Sequence, residues 1–268
     1  METKKLIDCC EFISDGDHLP PPKSDSGVPF ITISNITGQN KLSFEDTMFV
    51  PESYYNGLNE NKKAQKGDIL YSVVGSFGKP VYVDFDKQMV FQRHIAILRP
   101  KRNVNARFIY YTMLNPQFYK LVDKLAIGCS QRTVTLDTLR NIEVNLPDKD
   151  IQDKMVGILS LIDEKIDINN NVNDNLEQQI QLIFDYLFPD VCAGNKHMGD
   201  FIIPKRGKSL LSKNAVHGNV PVIAGGLEPS IYHNVANTIA PVVTISSSGA
   251  NAGFVNIWGV PVWSSDSS

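Results

Sequence analysis

The chain has 268 residues, 42% of them apolar and 21% charged, with a formal net charge of −3. That length points to one or two domains, and the balance is ordinary for a soluble globular protein. No run of about 18 apolar residues occurs, which excludes a membrane-spanning helix, and Met1-Glu2-Thr3-Lys4-Lys5-Leu6 lacks the apolar core of a secretory signal. The cysteines are Cys9, Cys10, Cys129 and Cys192. None has C-x-x-C spacing and adjacent thiols pair poorly, so reduced thiols in a cytoplasm are expected and a zinc site is not.

Residues 1–147 read as α+β. Strand-like runs are Pro29–Ile33, Asp68–Val74, Val81–Val83 and His94–Leu98, separated by turn signals such as Lys66-Gly67-Asp68 and Gly75-Ser76-Phe77-Gly78. Arg107 to Leu125 is predicted as one helix, with apolar residues at Ile109, Leu114, Phe118, Leu121, Val122 and Leu125. Ile142–Leu146 alternates as a last strand, closed by Pro147.

From Ile151 to Leu187 apolar residues recur in two interleaved rows. One is Met155, Ile162, Asn169, Leu176 and Ile183; the other is Leu159, Ile166, Asn173, Ile180 and Leu187. Spacings alternating between four and three make a coiled-coil seam. Asp148 or Asp150 can cap the helix, and Pro189 ends it. Such a helix is about 57 Å long at 1.5 Å per residue. With one apolar stripe it needs a partner helix. Asn169 and Asn173 at its centre would fix register at some cost in stability. The alternative is a local break at Asn169-Asn170-Asn171.

Residues 197–268 echo the first domain. Gly218–Ile223 resembles Gly27–Ile31. Val243–Gly249, followed by Gly253, resembles Ile69–Gly75 followed by Gly78. Val262–Ser265 falls where Val90–Arg93 falls. Three matches in the same order indicate a diverged repeat. The counterpart of Ile95–Pro147 is missing, as is a second helix, so a frameshifted, split, fragmentary or truncated gene is expected. Charge follows this division. Residues 1–147 carry 18 Lys and Arg against 16 Asp and Glu, residues 148–190 carry 3 against 10, and residues 191–268 carry 5 against 3. The heads are mildly basic and the spacer is acidic, which permits a nucleic-acid partner without requiring one.

The order of these features, with Ile158–Ile166, Asn173–Ile183, Gly67-Asp68-Ile69-Leu70, Cys129-Ser130-Gln131-Arg132 and Leu146-Pro147, resembles the DNA-specificity subunit of type I restriction-modification systems. The resemblance implies an α+β fold. It consists of a mixed α/β target-recognition domain (1–147), a long coiled-coil spacer helix (148–190), and a partial second recognition domain of the same fold (197–268). It implies a subunit without catalysis that reads a split site in double-stranded DNA and docks methyltransferase (M) and restriction (R) subunits. S-adenosylmethionine, ATP and Mg2+ belong to those partners, and no membrane is involved. With one complete head, two copies could pair antiparallel through the seam and read a palindromic split site; the alternative is an unstable remnant.

Several segments imitate catalytic motifs. Asn115-Pro116-Gln117-Phe118 is near the N-P-P-F/Y loop of amino-methyltransferases but lacks its third proline and a glycine-rich cofactor loop. Pro147-Asp148 with Asp163-Glu164-Lys165 imitates a nuclease signature, yet the carboxylates lie along one helix, about 20 Å apart. Gly249–Gly253 lacks the strand-to-helix setting of a nucleotide loop, and Ser246–Ser248 have no His nearby in sequence. DNA-contact candidates are Lys79, Gln92, Arg93, His94, Gln131 and Arg132, with Lys23, Thr32, Ser34 and Asn35 behind them. Gln can bond adenine and Arg guanine in the major groove, and Lys can meet a phosphate. Competing readings are a coiled-coil oligomerisation adaptor without a DNA role and, more remotely, a stand-alone hydrolase.

Overall fold

The computed structural model describes residues 2–128, 132–189 and 196–265. The chain forms two compact units, Met1–Gln178 and Gln179–Ser268.

The first unit opens with β1 (Glu2–Lys5), β2 (Cys10–Asp15), β3 (Val28–Ile31), β4 (Ile36–Gly38), β5 (Lys41–Leu42) and β6 (Met48–Val50). A short helix α1 (Glu52–Gly57) leads to β7 (Ile69–Ser72), β8 (Pro80–Tyr82), β9 (Val90–Phe91) and β10 (Ile95–Pro100). Then come α2 (Ala106–Leu114), α3 (Pro116–Leu125), α4 (Leu136–Asn141), β11 (Glu143–Leu146) and α5 (Lys149–Leu187).

The centre is a four-stranded antiparallel sheet in the order β2-β10-β7-β8. β7 and the first four residues of β10 are buried throughout. Their continuous apolar runs, rather than alternation, reflect a sheet covered on both faces. On one face Ile69, Tyr71, Ala96 and Leu98 pack with Ile109, Met113, Phe118 and Val122 of α2 and α3. On the other, Leu70, Ile95 and Ile97 pack with Ile31, Val81, Met89 and Phe91. A second sheet, β6-β3-β9, pairs β3 antiparallel to β6 and parallel to β9. β1 pairs antiparallel with β11 from Glu2↔Leu146 to Lys5↔Glu143, tying the start of the chain to the segment before α5.

One predicted element divides. Arg107–Leu125 is two helices, because Asn115 is extended and its side chain accepts from the Gln117 N–H at 2.8 Å. Pro116 disfavours helical geometry at the residue before it and suits the first turn of a new helix. Asn115-Pro116-Gln117-Phe118 is therefore a helix junction, not an internal helical turn.

Helix α5 runs through Asn169-Asn170-Asn171 without a break. The Asp148 carbonyl accepts from the N–H groups of Ile151 and Gln152 at 2.9 and 3.0 Å, which puts Asp148 rather than Asp150 at the cap position. Only the base of the helix is buried, at Gln152 and Val156, which lie one turn apart on a single face. Gln152 accepts from the Asn105 N–H at 2.9 Å and donates to the Pro147 carbonyl at 2.7 Å. Two turns beyond Val156, Tyr111 donates to the Asp163 carboxylate at 2.7 Å. Beyond this the apolar rows are open: Ile166, Leu176, Ile180, Ile183 and Leu187 are all exposed.

The second unit contains β12 (Val220–Ile223), β13 (Ile231–His233), β14 (Val242–Ile245), β15 (Val255–Trp258) and β16 (Trp263–Ser264). β12 pairs antiparallel with β13 and parallel with β16, as β3 does with β6 and β9. The β14–β15 hairpin repeats the β7–β8 hairpin bond for bond. The Ser72 N–H donates to the Lys79 carbonyl and the Gly78 N–H to Ser72; likewise Ser246 donates to Phe254 and Gly253 to Ser246. Gly78 and Gly253 share a left-handed φ of +89° and +90°. In the β9-like strand the pairing aligns Trp263 with Val90, one residue later than the sequence match suggests.

Candidate nucleic-acid interface

The turn and loops at one end of the central sheet gather most of the predicted contact residues. Gln92, Arg93 and His94 form the tight turn from β9 to β10, closed by the Ile95 N–H donating to the Gln92 carbonyl at 2.9 Å. The Val73 N–H donates to the His94 carbonyl at 2.9 Å, which joins this turn to the loop after β7. Lys79 ends that loop, and its N–H donates to the Ser72 hydroxyl at 3.0 Å. The Gly75 N–H donates to the Arg132 carbonyl at 3.0 Å, bringing a third segment to the same rim. A fourth segment follows β2, where the Arg93 N–H donates to the Asp17 carbonyl at 2.9 Å. Gln131 lies outside the described residues.

The loop is held in a single shape by aromatic packing. Phe77 stacks on Tyr119 with ring centroids 5.9 Å apart. Gly78 lies against the same Tyr119 ring, so a Cβ there would collide with it as well as strain a left-handed backbone.

The charged groups at this rim differ in freedom. Lys79 and Arg93 are exposed, and among the described residues no carboxylate pairs with either. Arg132 is engaged: its guanidinium donates to both the carboxylate and the carbonyl of Asp123 and sits over the Phe77 ring. Asp17 accepts from the Tyr54 hydroxyl and from Lys62. Burial opposes ionisation of Asp17, but those two partners outweigh it and hold its carboxyl below the usual range. Burial, and then neighbouring Arg93, push the His94 imidazole down from 6.5. The rim thus offers two exposed cations and an imidazole whose charged form is disfavoured, around a hydrogen-bonded backbone, which suits phosphates and base edges.

Thr32 and Asn35 are used by the fold. They form a reciprocal cap on the short 3-10 turn Ile33–Asn35, and the Asn35 amide donates to the Ser43 carbonyl and the Thr47 hydroxyl at 3.0 Å each.

Residues 1–178 match the family model of the type I restriction modification DNA specificity domain. The chain belongs to this family. Over 189 residues it is 28% identical to the type I restriction enzyme HindI specificity subunit of Haemophilus influenzae, covering 66% of this chain and 41% of that protein. Over 169 residues it is 26% identical to the MjaVIII specificity subunit of Methanocaldococcus jannaschii, covering 61% of this chain and 39% of that one. The chain thus spans about two fifths of the length of these curated relatives. The S subunit of a type I restriction-modification system from M. genitalium superposes with a TM-score of 0.50 at 18% identity, over 99% of this chain and 71% of that one, which shows a shared fold.

Within this specificity-domain chain, sequence reasoning passed over groups that hold the far end of the central sheet and the base of the long helix in place. The Arg99–Asp68 pair is one: two bonds of 2.9 and 2.8 Å join a half-buried guanidinium, lying over the Phe12 ring, to a buried carboxylate. Gln152 is another. A polar residue on the flank of an apolar heptad reads as solvent-facing, and only its burial against α2 reveals its role.

Proposed function

We propose that the chain is a non-catalytic DNA-recognition subunit of a type I restriction-modification complex. It reads one half of a split site in double-stranded DNA through Lys79, Gln92, Arg93, His94 and Arg132 at this rim, with Gln131 as a further contact residue. Recognition belongs to residues 1–147 and, in part, to 197–268, with 148–190 as spacer. Methyltransferase and restriction subunits dock on the chain and supply catalysis, binding S-adenosylmethionine, ATP and Mg2+. The observation that carries this reading is the match of residues 1–178 to a DNA specificity domain, in which the segments carrying Lys79, Gln92, Arg93, His94 and Arg132 meet at one loop rim.

A gel-shift titration of duplex DNA against salt tests it. Phosphate contacts release counterions, so affinity falls steeply with salt, with a log–log slope of about −0.9 per contact. A chain with no affinity for DNA at low salt would instead be an oligomerisation adaptor.

The exposed seam favours a second feature, a helical partner for α5. The rows are symmetric about Asn171 in an antiparallel pair of copies, so Met155 meets Leu187, Leu159 meets Ile183, Ile162 meets Ile180, Ile166 meets Leu176, and Asn169 meets Asn173. Two copies paired in this way would present two identical heads. Light scattering reads the outcome directly: a strictly monomeric species at micromolar concentration rules the pair out.

A further inference from the structure

Leu19 is 72% exposed, more than any other large apolar side chain among the described residues of the first unit. It joins no buried apolar cluster among the described residues, so its side chain contributes little to folding. One exposed leucine is ordinary on a protein surface. This one differs in where it stands and in how its backbone is held.

Asp17, two residues earlier, is bonded into the turn that carries Gln92 and Arg93. Its N–H donates to the Phe91 carbonyl at 2.6 Å, and its carbonyl accepts from the Arg93 N–H at 2.9 Å. Asp17 and Gln92 pair as an isolated parallel bridge. The Asp17 carboxylate reaches the Leu19 N–H at 3.5 Å, and His18 bonds the Asp15 carboxylate at 2.7 Å. Three prolines follow, Pro20, Pro21 and Pro22. Their rings fix φ, and Pro20 restricts Leu19 itself to extended geometry. Beyond them the Ser24 N–H is anchored on the Phe49 carbonyl at 2.9 Å. A loop tied at both ends and stiffened between them orders Leu19 on folding, so little conformational entropy remains to be lost on binding.

The second unit repeats the placement. A Cβ on Gly16 would collide with the Phe91 carbonyl, and one on Gly207 with the Ser264 carbonyl. The next N–H donates to that same carbonyl in each case, with Lys208 bonding Ser264 at 2.9 Å. Leu19 and Leu210 both stand three residues after this glycine. Leu210 is half-buried, and Leu211 beside it is 56% exposed. The loops otherwise differ, with Pro20-Pro21-Pro22 in one and Leu211-Ser212-Lys213 in the other. An apolar residue at this place persists while its surroundings diverge.

We propose that Leu19 determines specificity by packing on the C5 methyl group of a thymine in the major groove. This rests on the reading of the rim as a DNA interface. Gln92 and Arg93 suit the polar edges of adenine and guanine, and the thymine methyl is the apolar group that the major groove displays. A leucine side chain has nothing to offer a phosphate or a polar base edge. The Asp15 and Asp17 carboxylates close to it oppose entry into a narrow minor groove, where the potential is more negative. Two residues of chain span at most about 7 Å. The thymine therefore lies within about two base pairs, at about 3.4 Å each, of the base met by the Gln92–Arg93 turn.

The test is a selection from a pool of random-sequence duplexes by the full chain, repeated with Leu19→Ala and with Arg93→Ala. The unaltered chain is expected to enrich a motif with a fixed T·A pair within about two base pairs of the position that Arg93→Ala relaxes. Replacing that thymidine by deoxyuridine removes only the methyl group. It is expected to weaken binding by about three- to tenfold, and Leu19→Ala is expected to bind both duplexes alike. A motif without thymine in that window, deoxyuridine without effect, or a Leu19→Ala chain as sensitive to deoxyuridine as the unaltered one would each overturn the proposal and leave the DNA-recognition reading standing. No binding to any duplex at low salt would overturn both.

Discussion

The Arg132 guanidinium spends its donors on Asp123, whereas Arg93 makes one long contact, from Nε to Nε2 of His94 at 3.4 Å. Arg93→Ala is therefore expected to weaken duplex binding by roughly 1–3 kcal/mol while leaving the thermal midpoint unchanged; a titration beside a melting curve checks both. His94 adds a pH signature. Its free pKa is held below 6.5, so the folded state binds this proton less readily than the unfolded chain. Stability should decline as pH falls below that value, and a nearby phosphate should raise the pKa, so DNA affinity should grow over the same window. An NMR titration of the imidazole with and without DNA reads the shift. In the core, Arg99→Met would leave the buried Asp68 carboxylate unpaired, with an expected loss of about 3–5 kcal/mol in urea unfolding.

At the scale of elements, the base of α5 depends on one buried amide. Gln152→Leu removes the partners of the Asn105 N–H and the Pro147 carbonyl, at an expected cost of about 1–3 kcal/mol. Faster hydrogen exchange in the first turns of α5 would register it. Ile180→Asp, by contrast, lies on the open seam and should abolish helix pairing without unfolding the head; sedimentation separates the two effects. Helix α5 was legible in sequence because its apolar period is long and regular. The strands β7 and β10 were legible because burial on both faces makes them short apolar blocks. β1 was not, since Glu2-Thr3-Lys4-Lys5 carries no apolar signal and is held by pairing with β11. The split at Asn115 was hidden because apolar positions run on in helical spacing through Leu114 and Phe118. At the rim, the Gln92–His94 turn could be read from a strand run ending in polar residues. The Asp123 partner of Arg132 could not, because it comes from a separate helix brought in by tertiary packing.

For the whole molecule, a family resemblance seen in the order of weak motifs meets the match of residues 1–178 to a DNA specificity domain. The repeat, faint in sequence, is explicit in backbone bonds, because φ at Gly78 and Gly253 and the Ser72 and Ser246 pairings persist while side chains diverge. The central claim is that this chain chooses the DNA site at which a partner acts. The most direct measurement is methyl transfer to genomic DNA by a cognate methyltransferase subunit with and without this chain, mapped at base resolution. The account predicts methylation confined to one sequence motif only when both proteins are present, and lost with Lys79→Ala and Arg93→Ala together. Methyl transfer by this chain alone, or a methylation pattern indifferent to its presence, would contradict it.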